Sequence, residues 1–196
     1  MKSIKIIIFI VLIIGAFLLG FFWLRNLSSQ EEDIPAFLLL ISEQNIEGPQ
    51  RAWWVSEIDL SVAEAKIAQT LIENNYKVIE PQELRDTISK EKAFRVVDIS
   101  EDTAISLAKL KGVDYIILGK AVASAGGNIP SSQMRSCFAN ITAKLIRVKD
   151  GKIVSYLDST ASVPHTDLIT GGKLALSKAG QDLGVKIIEI LNGGKK

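Results

Sequence analysis

One cysteine, one histidine and five prolines stand in a chain of 196 residues, and each scarcity removes a class of protein. A lone cysteine, Cys137, forms no intramolecular disulfide, so an exported domain built from this chain is stable through its core. Beside Phe138 at the head of an apolar stretch, Cys137 reads as a small buried hydrophobe, with an intermolecular disulfide as the alternative. The lone histidine, His165, leaves histidine-dependent triads one candidate base, and no Gly-x-Ser-x-Gly surrounds any serine. Pro164-His165-Thr166-Asp167 reads as a turn, because a metal site usually needs about three protein ligands and no second histidine or cysteine supplies them. No catalytic residue, metal or cofactor is therefore assigned, and the chain reads as a non-enzyme.

Excess charge of one sign is also missing. Twenty-three basic residues against twenty-two acidic ones give a net charge of +1, and the basic block at Lys195-Lys196 is minimal. A nucleic-acid partner requires a clustered positive field that releases counterions, so that class is excluded. Phosphate-loop signatures fail as well. Gly126-Gly127-Asn128 lacks the Lys-Ser/Thr of a Walker loop, and Gly171-Gly172-Lys173 is followed by Leu174 where the hydroxyl belongs. Gly171 and Gly172 at the opening of a helix remain a weak candidate anion site through backbone N–H groups.

What the chain has in abundance is one apolar run, Ile6 to Leu24, nineteen residues without a charge. At about 1.5 Å per residue, a helix of that length matches a bilayer core of ~30 Å. A cleaved signal peptide is the alternative, but the run ends in Phe21-Phe22-Trp23-Leu24-Arg25, bulky where a peptidase needs small residues. Lys2 and Lys5 precede the run and Glu31-Glu32-Asp33 follow it, which keeps the amino terminus in the cytoplasm and exports the rest. The expected organisation is an anchor at 1–25, a tether at 26–35, a single periplasmic domain at 36–192 and a tail at 193–196. The expected location is the bacterial inner membrane, crossed once.

The domain opens on Ala36-Phe37-Leu38-Leu39-Leu40-Ile41, a continuous apolar run that predicts a central strand buried on both faces. A loop carrying Trp53-Trp54 follows. Adjacent residues on extended chain point opposite ways, so one tryptophan is free to anchor a partner. Ser61 and Glu64 form a capping box that starts a helix over Leu60–Asn74, and Tyr76–Ile79 reads as a short strand. Pro81 opens a second short helix through Ile88, and Ser100 caps another that ends at Lys111 before Gly112. Val113–Gly119 is a strand, and Ala123–Gln133, with Gly126, Gly127 and Asn128, reads as a loop and a second candidate partner surface. Alternation from Met134 to Val148, the turn Asp150-Gly151 and the return Ile153–Val163, stopped by Pro164, predict a hairpin. Lys173–Leu191 is the terminal helix, in which Gly180 and Gly184 permit close approach to the sheet. The predicted fold is α/β (α+β): a mixed sheet of about five strands with packed helices, in the order β-α-β-α-α-β-β-β-α.

Two stretches carry a resemblance. Gly112-Val113-Asp114-Tyr115-Ile116-Ile117-Leu118-Gly119-Lys120-Ala121 after a helix, and Ile141–Val148 with Asp150-Gly151-Lys152-Ile153-Val154, resemble the centre and hairpin of exported α/β domains. That group includes the amino-terminal domain of the Tol-system propeller protein, curli-export lipoproteins, penicillin-binding-protein activators and periplasmic flagellar assembly proteins. The resemblance spans most of residues 36–192. It implies a non-catalytic assembly or adaptor module of a cell-envelope machine. Its partners would be envelope proteins, with the bilayer held through Ile6–Leu24 and an oligomer compatible with it. Many members are lipoproteins, whereas this chain has no cysteine in or just after its apolar run. The alternative function is an envelope sensor binding a small anion or glycan at Gly171-Gly172.

Overall fold

The computed structural model describes residues 34–46, 61–79 and 100–193, all within the compact unit Ile34–Lys196. The apolar run Ile6–Leu24, Trp53 and Trp54, and the predicted helix at 81–88 lie outside the described residues. Among the described residues no helix is long and apolar enough to cross a membrane.

The chain forms β1 (Ala36–Gln44), α1 (Val62–Glu73), β2 (Lys77–Ile79), α2 (Glu101–Leu110), β3 (Tyr115–Asn128), β4 (Arg135–Arg147), β5 (Lys152–His165) and α3 (Leu168–Gly193). The strands make one five-stranded mixed sheet in the order β2-β1-β3-β4-β5. β1 runs parallel to both β2 and β3, and the β3-β4-β5 meander is antiparallel. β1 is buried on both faces from Ala36 to Glu43, as its unbroken apolar run predicts. The centre of the sheet is nevertheless β3, because the long hairpin adds two strands on one side and β2 contributes only three residues on the other.

One face of the sheet carries Phe37, Leu39, Ile41, Ile117, Ile141 and Leu145 under α1 and α3, forming the main core with Ile67, Leu71, Leu176, Leu183 and Ile187. Phe37 anchors it, stacked on Tyr115 at 5.2 Å and meeting Tyr76 edge-on at 5.4 Å. The opposite face carries Leu38, Leu40, Ile116 and Ile146 against Ala104, Leu107 and Ala108 of α2. Asp114, the acid of the family-like stretch, ties this frame together. Its carboxylate accepts from Ala36 N–H at 2.8 Å, its own N–H donates to Ala36 C=O at 2.9 Å, and its C=O accepts from Val148 N–H at 2.9 Å. Gly119 in the same stretch is required because a Cβ there would collide with the Thr142–Ala143 backbone of β4. Both residues of the motif are thus structural.

The local signals are realised physically. Ser61 accepts from Glu64 N–H, and the Glu64 carboxylate returns to Ser61 N–H, closing the capping box. Ser100 caps α2 through Thr103 N–H. Gly151 turns the β4-β5 hairpin at φ 67°, and Asp150 pins it by pairing with Arg147 at 2.8 and 3.0 Å.

Three expectations are corrected. Ala123–Gln133 is largely strand, since β3 runs to Asn128. Gly126 and Gly127 oppose the single residue Ser136 in a bulge, and the turn is confined to 129–134. Pro164 does not stop β5, which continues to His165, because β5 is the outer strand and an edge tolerates a missing N–H. Gly180 and Gly184 approach a helix and not the sheet: a Cβ on Gly180 would lie 2.8 Å from Ala63 C=O, and one on Gly184 would lie 2.7 Å from Thr70 Cβ. α1 and α3 therefore cross at a two-glycine notch. Gly180→Val forces the helices apart against backbone that does not yield, and a loss of about 1–3 kcal/mol by denaturant unfolding is expected.

Candidate interaction site

The described residues offer three places where chemistry or recognition could occur. The first is the tip of the β3-β4 hairpin, where Gly126, Gly127 and Asn128 meet the turn. Ile129 N–H donates to Met134 C=O at 2.9 Å, Ser132 N–H donates to Ile129 C=O at 3.2 Å, and Ser131 adopts φ 59°, so the tip is held by its own backbone. Gly126 lacks a Cβ because the Phe138 ring lies over it, and the Arg135 guanidinium donates to Gly126 C=O at 3.3 Å. Gly127 faces open space. Phe138 is 44% exposed, Met134 43% and Val122 43%, which gives the far end of the hairpin an apolar surface. Phe138 is the residue that the sequence reading missed, although a signal was present. With Cys137, Ala139 and Ile141 directed into the core, period-two alternation puts Phe138 on the outer face.

The second place is the start of α3. The helix opens at Leu168, five residues before the predicted Lys173, because Asp167 caps it. The Asp167 carboxylate accepts from Thr170 N–H at 2.7 Å, and hydrogen bonding to the Thr170 side chain first and its backbone second holds the acid below the usual carboxylate range. His165 Nδ1 accepts from Asp167 N–H at 2.9 Å, which makes His165-Thr166-Asp167 the expected turn. Gly171 and Gly172 lie inside the helix and are buried. Gly171 N–H donates to Asp167 C=O at 2.9 Å, and Cβ atoms on these glycines would collide with Cys137 Sγ and Asn45 Oδ1 respectively. They make room for β4 and for the end of β1, so the structure puts a packing seam where an anion cradle was expected. Cys137 is fully buried there, and burial pushes its thiol pKa up, which disfavours the reactive thiolate.

The third place was not anticipated at all. Glu43 and Glu64 are buried carboxylates where α1 meets β1. Glu43 accepts from Ala63 N–H at 2.8 Å, and Glu64 accepts from Ile41 N–H at 2.7 Å and Ser61 N–H at 3.1 Å. Burial pushes the Glu64 pKa up to about 7, opposed by those two backbone bonds and reinforced by Glu43. Main-chain donors occupy both Glu64 oxygens and Glu43 Oε2, which commits the pair to holding α1 against β1. The capping box announced half of the Glu64 role; its bond to β1 is a tertiary contact that spacing along one helix does not encode. No group of three or more His, Cys, Asp or Glu among the described residues is placed to hold a metal ion.

Comparison with known protein families, and with curated proteins, returns no match. Solved structures of similar fold include the PelC dodecamer from Paraburkholderia phytofirmans, with 15% identity over 80% of this chain and 86% of that one, and TM-score 0.37. Lipoprotein GNA1162 from Neisseria meningitidis matches at 15% identity over 81% of this chain and 99% of that one, TM-score 0.44. The LpoB C-terminal domain from Salmonella enterica matches at 16% identity over 71% and 90%, TM-score 0.36. Likenesses of this strength define no shared activity, so function rests on this chain's own residues.

Proposed function

We propose that this chain is a membrane-anchored, periplasmic assembly or adaptor module of a cell-envelope machine, acting by binding proteins and not by catalysis. The observation that carries this reading is the apolar far end of the β3-β4 hairpin, where Phe138 and Val122 are exposed on paired strands and Met134 is exposed at the end of the turn. An aromatic ring presented on a paired strand has few torsions to lose on docking, and a methionine beside it adapts its shape to the surface it meets, which suits both to a protein partner. The uncharged run Ile6–Leu24 supports the location, since a retained helix confines the domain to one membrane surface and raises its local concentration near other envelope proteins. Trp53 and Trp54 belong to the same proposal as a second anchor. The sensor alternative loses its physical basis where Gly171 and Gly172 are buried against Cys137 and Asn45.

Replacing Phe138 and Met134 together by serine tests the reading. Both are surface positions, so the thermal midpoint should stay within a few degrees, whereas co-purification of the envelope partner from detergent-solubilised membranes should fall by about tenfold or more. Undiminished co-purification would remove the hairpin end from consideration, and a parallel Trp53→Ala, Trp54→Ala variant would then show whether the loop carries the binding.

A further inference from the structure

The outer edge of the sheet raises a separate question. β5 pairs with β4 alone among the described residues, and it is fourteen residues long. A long unpaired edge is a template for another strand, and natural proteins cover or blunt it. Here Lys186 of α3 donates to Asp158 C=O at 2.6 Å, so that carbonyl points away from β4. In an antiparallel ladder the N–H and C=O of one residue point the same way and alternate along the strand. Tyr156, Asp158, Thr160 and Ser162 therefore present their backbone groups outward, and Pro164, lacking an N–H, falls in the same set.

α3 runs back alongside this edge. Lys178, Asp182, Lys186 and Glu189 follow at spacings of four, four and three, which puts them on one stripe, and Lys186 shows that the stripe faces the β5 edge. All four side chains are exposed, and no ion pair among the described residues engages them. Their signs alternate, a pattern that is complementary to itself when reversed.

We infer that β5 and α3 form a two-fold interface with a second copy of this chain. A dyad at Ser159 sets Asp158 opposite Thr160 of the partner subunit and Tyr156 opposite Ser162 of the partner subunit, and no like charges meet. Moving the dyad one position to Asp158 would set two aspartates face to face. Lys186 fixes the level of the helix beside Asp158, so the same dyad passes close to Gly184. Reversal about that point brings Asp182 to Lys186 of the partner subunit and Lys178 to Glu189 of the partner subunit, each twice. Strands pair at about 4.8 Å, and a helix seated over β4 and β5 then lies about 10 Å from its symmetry mate, the normal packing distance. Val185, 44% exposed beside the stripe, is covered between the two helices. Thr160 N–H of the partner subunit takes over the Asp158 carbonyl, and Lys186 is released to an aspartate.

The test is the oligomeric state of the full chain in mild detergent, by sedimentation over a wide concentration range. The wild type is expected to be a dimer. Asp182→Lys should weaken it by about tenfold or more, and adding Lys186→Asp to the same chain should restore it, since the stripe is again complementary to itself. Thr160→Pro, which removes an outward N–H, should also give monomers while the thermal midpoint stays within a few degrees. A wild type that is monomeric throughout would overturn the inference and leave the edge to a strand of another protein. So would a dimer indifferent to the charge reversal, which would assign dimerisation to another part of the chain. Should Thr160→Pro fail to fold, the charge-reversal pair decides alone.

Discussion

Phe37→Ala should cost the domain about 3–5 kcal/mol of unfolding free energy, the largest loss expected from any single truncation here. Phe37 is fully buried, stacked on Tyr115 and edge-on to Tyr76, and lies on β1, which pairs in parallel with both β2 and β3. Truncation removes the transfer energy of the ring, opens a cavity and loses two aromatic contacts that alternative rotamers of the tyrosines do not replace. Denaturant unfolding by fluorescence measures it. A loss below about 1 kcal/mol would mean that the core closes over the gap and that the aromatic cluster is not the hub described.

A pH dependence of opposite sign to the usual carboxylate case should follow from Glu64. Its folded pKa, pushed up by burial from 4.5 to about 7, exceeds that of the unfolded chain. The folded state therefore holds the proton more tightly. This contribution to stability is complete below about pH 4.5 and is lost as pH rises through about 7, with an upper bound of roughly 3 kcal/mol. Asp150, whose pairing with Arg147 lowers its acid to about 2, works in the opposite sense and outside that window. Unfolding free energies measured from pH 5 to pH 8 should fall with rising pH for the wild type. The slope should flatten in Glu64→Gln, which keeps an acceptor for Ile41 N–H but no longer titrates. Equal slopes in the two proteins would show that Glu64 is ionised in the fold at all these pH values.

Much of the frame was legible because its signals are local. Ser61, Glu64, Ser100, Gly112 and the Asp150-Gly151 turn act within a few residues, and each element they bound was found, with the limits of α1 and α2 within two residues. The errors share one cause, the position of a segment within the whole sheet. Pro164 ends a strand only if its N–H is needed, and on an outer edge it is not. Gly171 and Gly172 open no helix because Asp167 caps earlier and Cys137 and Asn45 need their space. Gly126 and Gly127, which in isolation read as a loop, form a bulge in a ladder that continues to Arg135. At the candidate site, Phe138 could have been placed by alternation, whereas the Glu43 and Glu64 bonds to distant backbone could not.

The hairpin end is the surface proposed to meet an envelope partner. A photoreactive amino acid in place of Phe138, in the full chain within native membranes, tests this most directly, with the same group at the exposed Ile72 of α1 as control. The expected result is a discrete adduct with a different envelope protein from position 138 and none from position 72. No adduct from either position, or the same adducts from both, would contradict it.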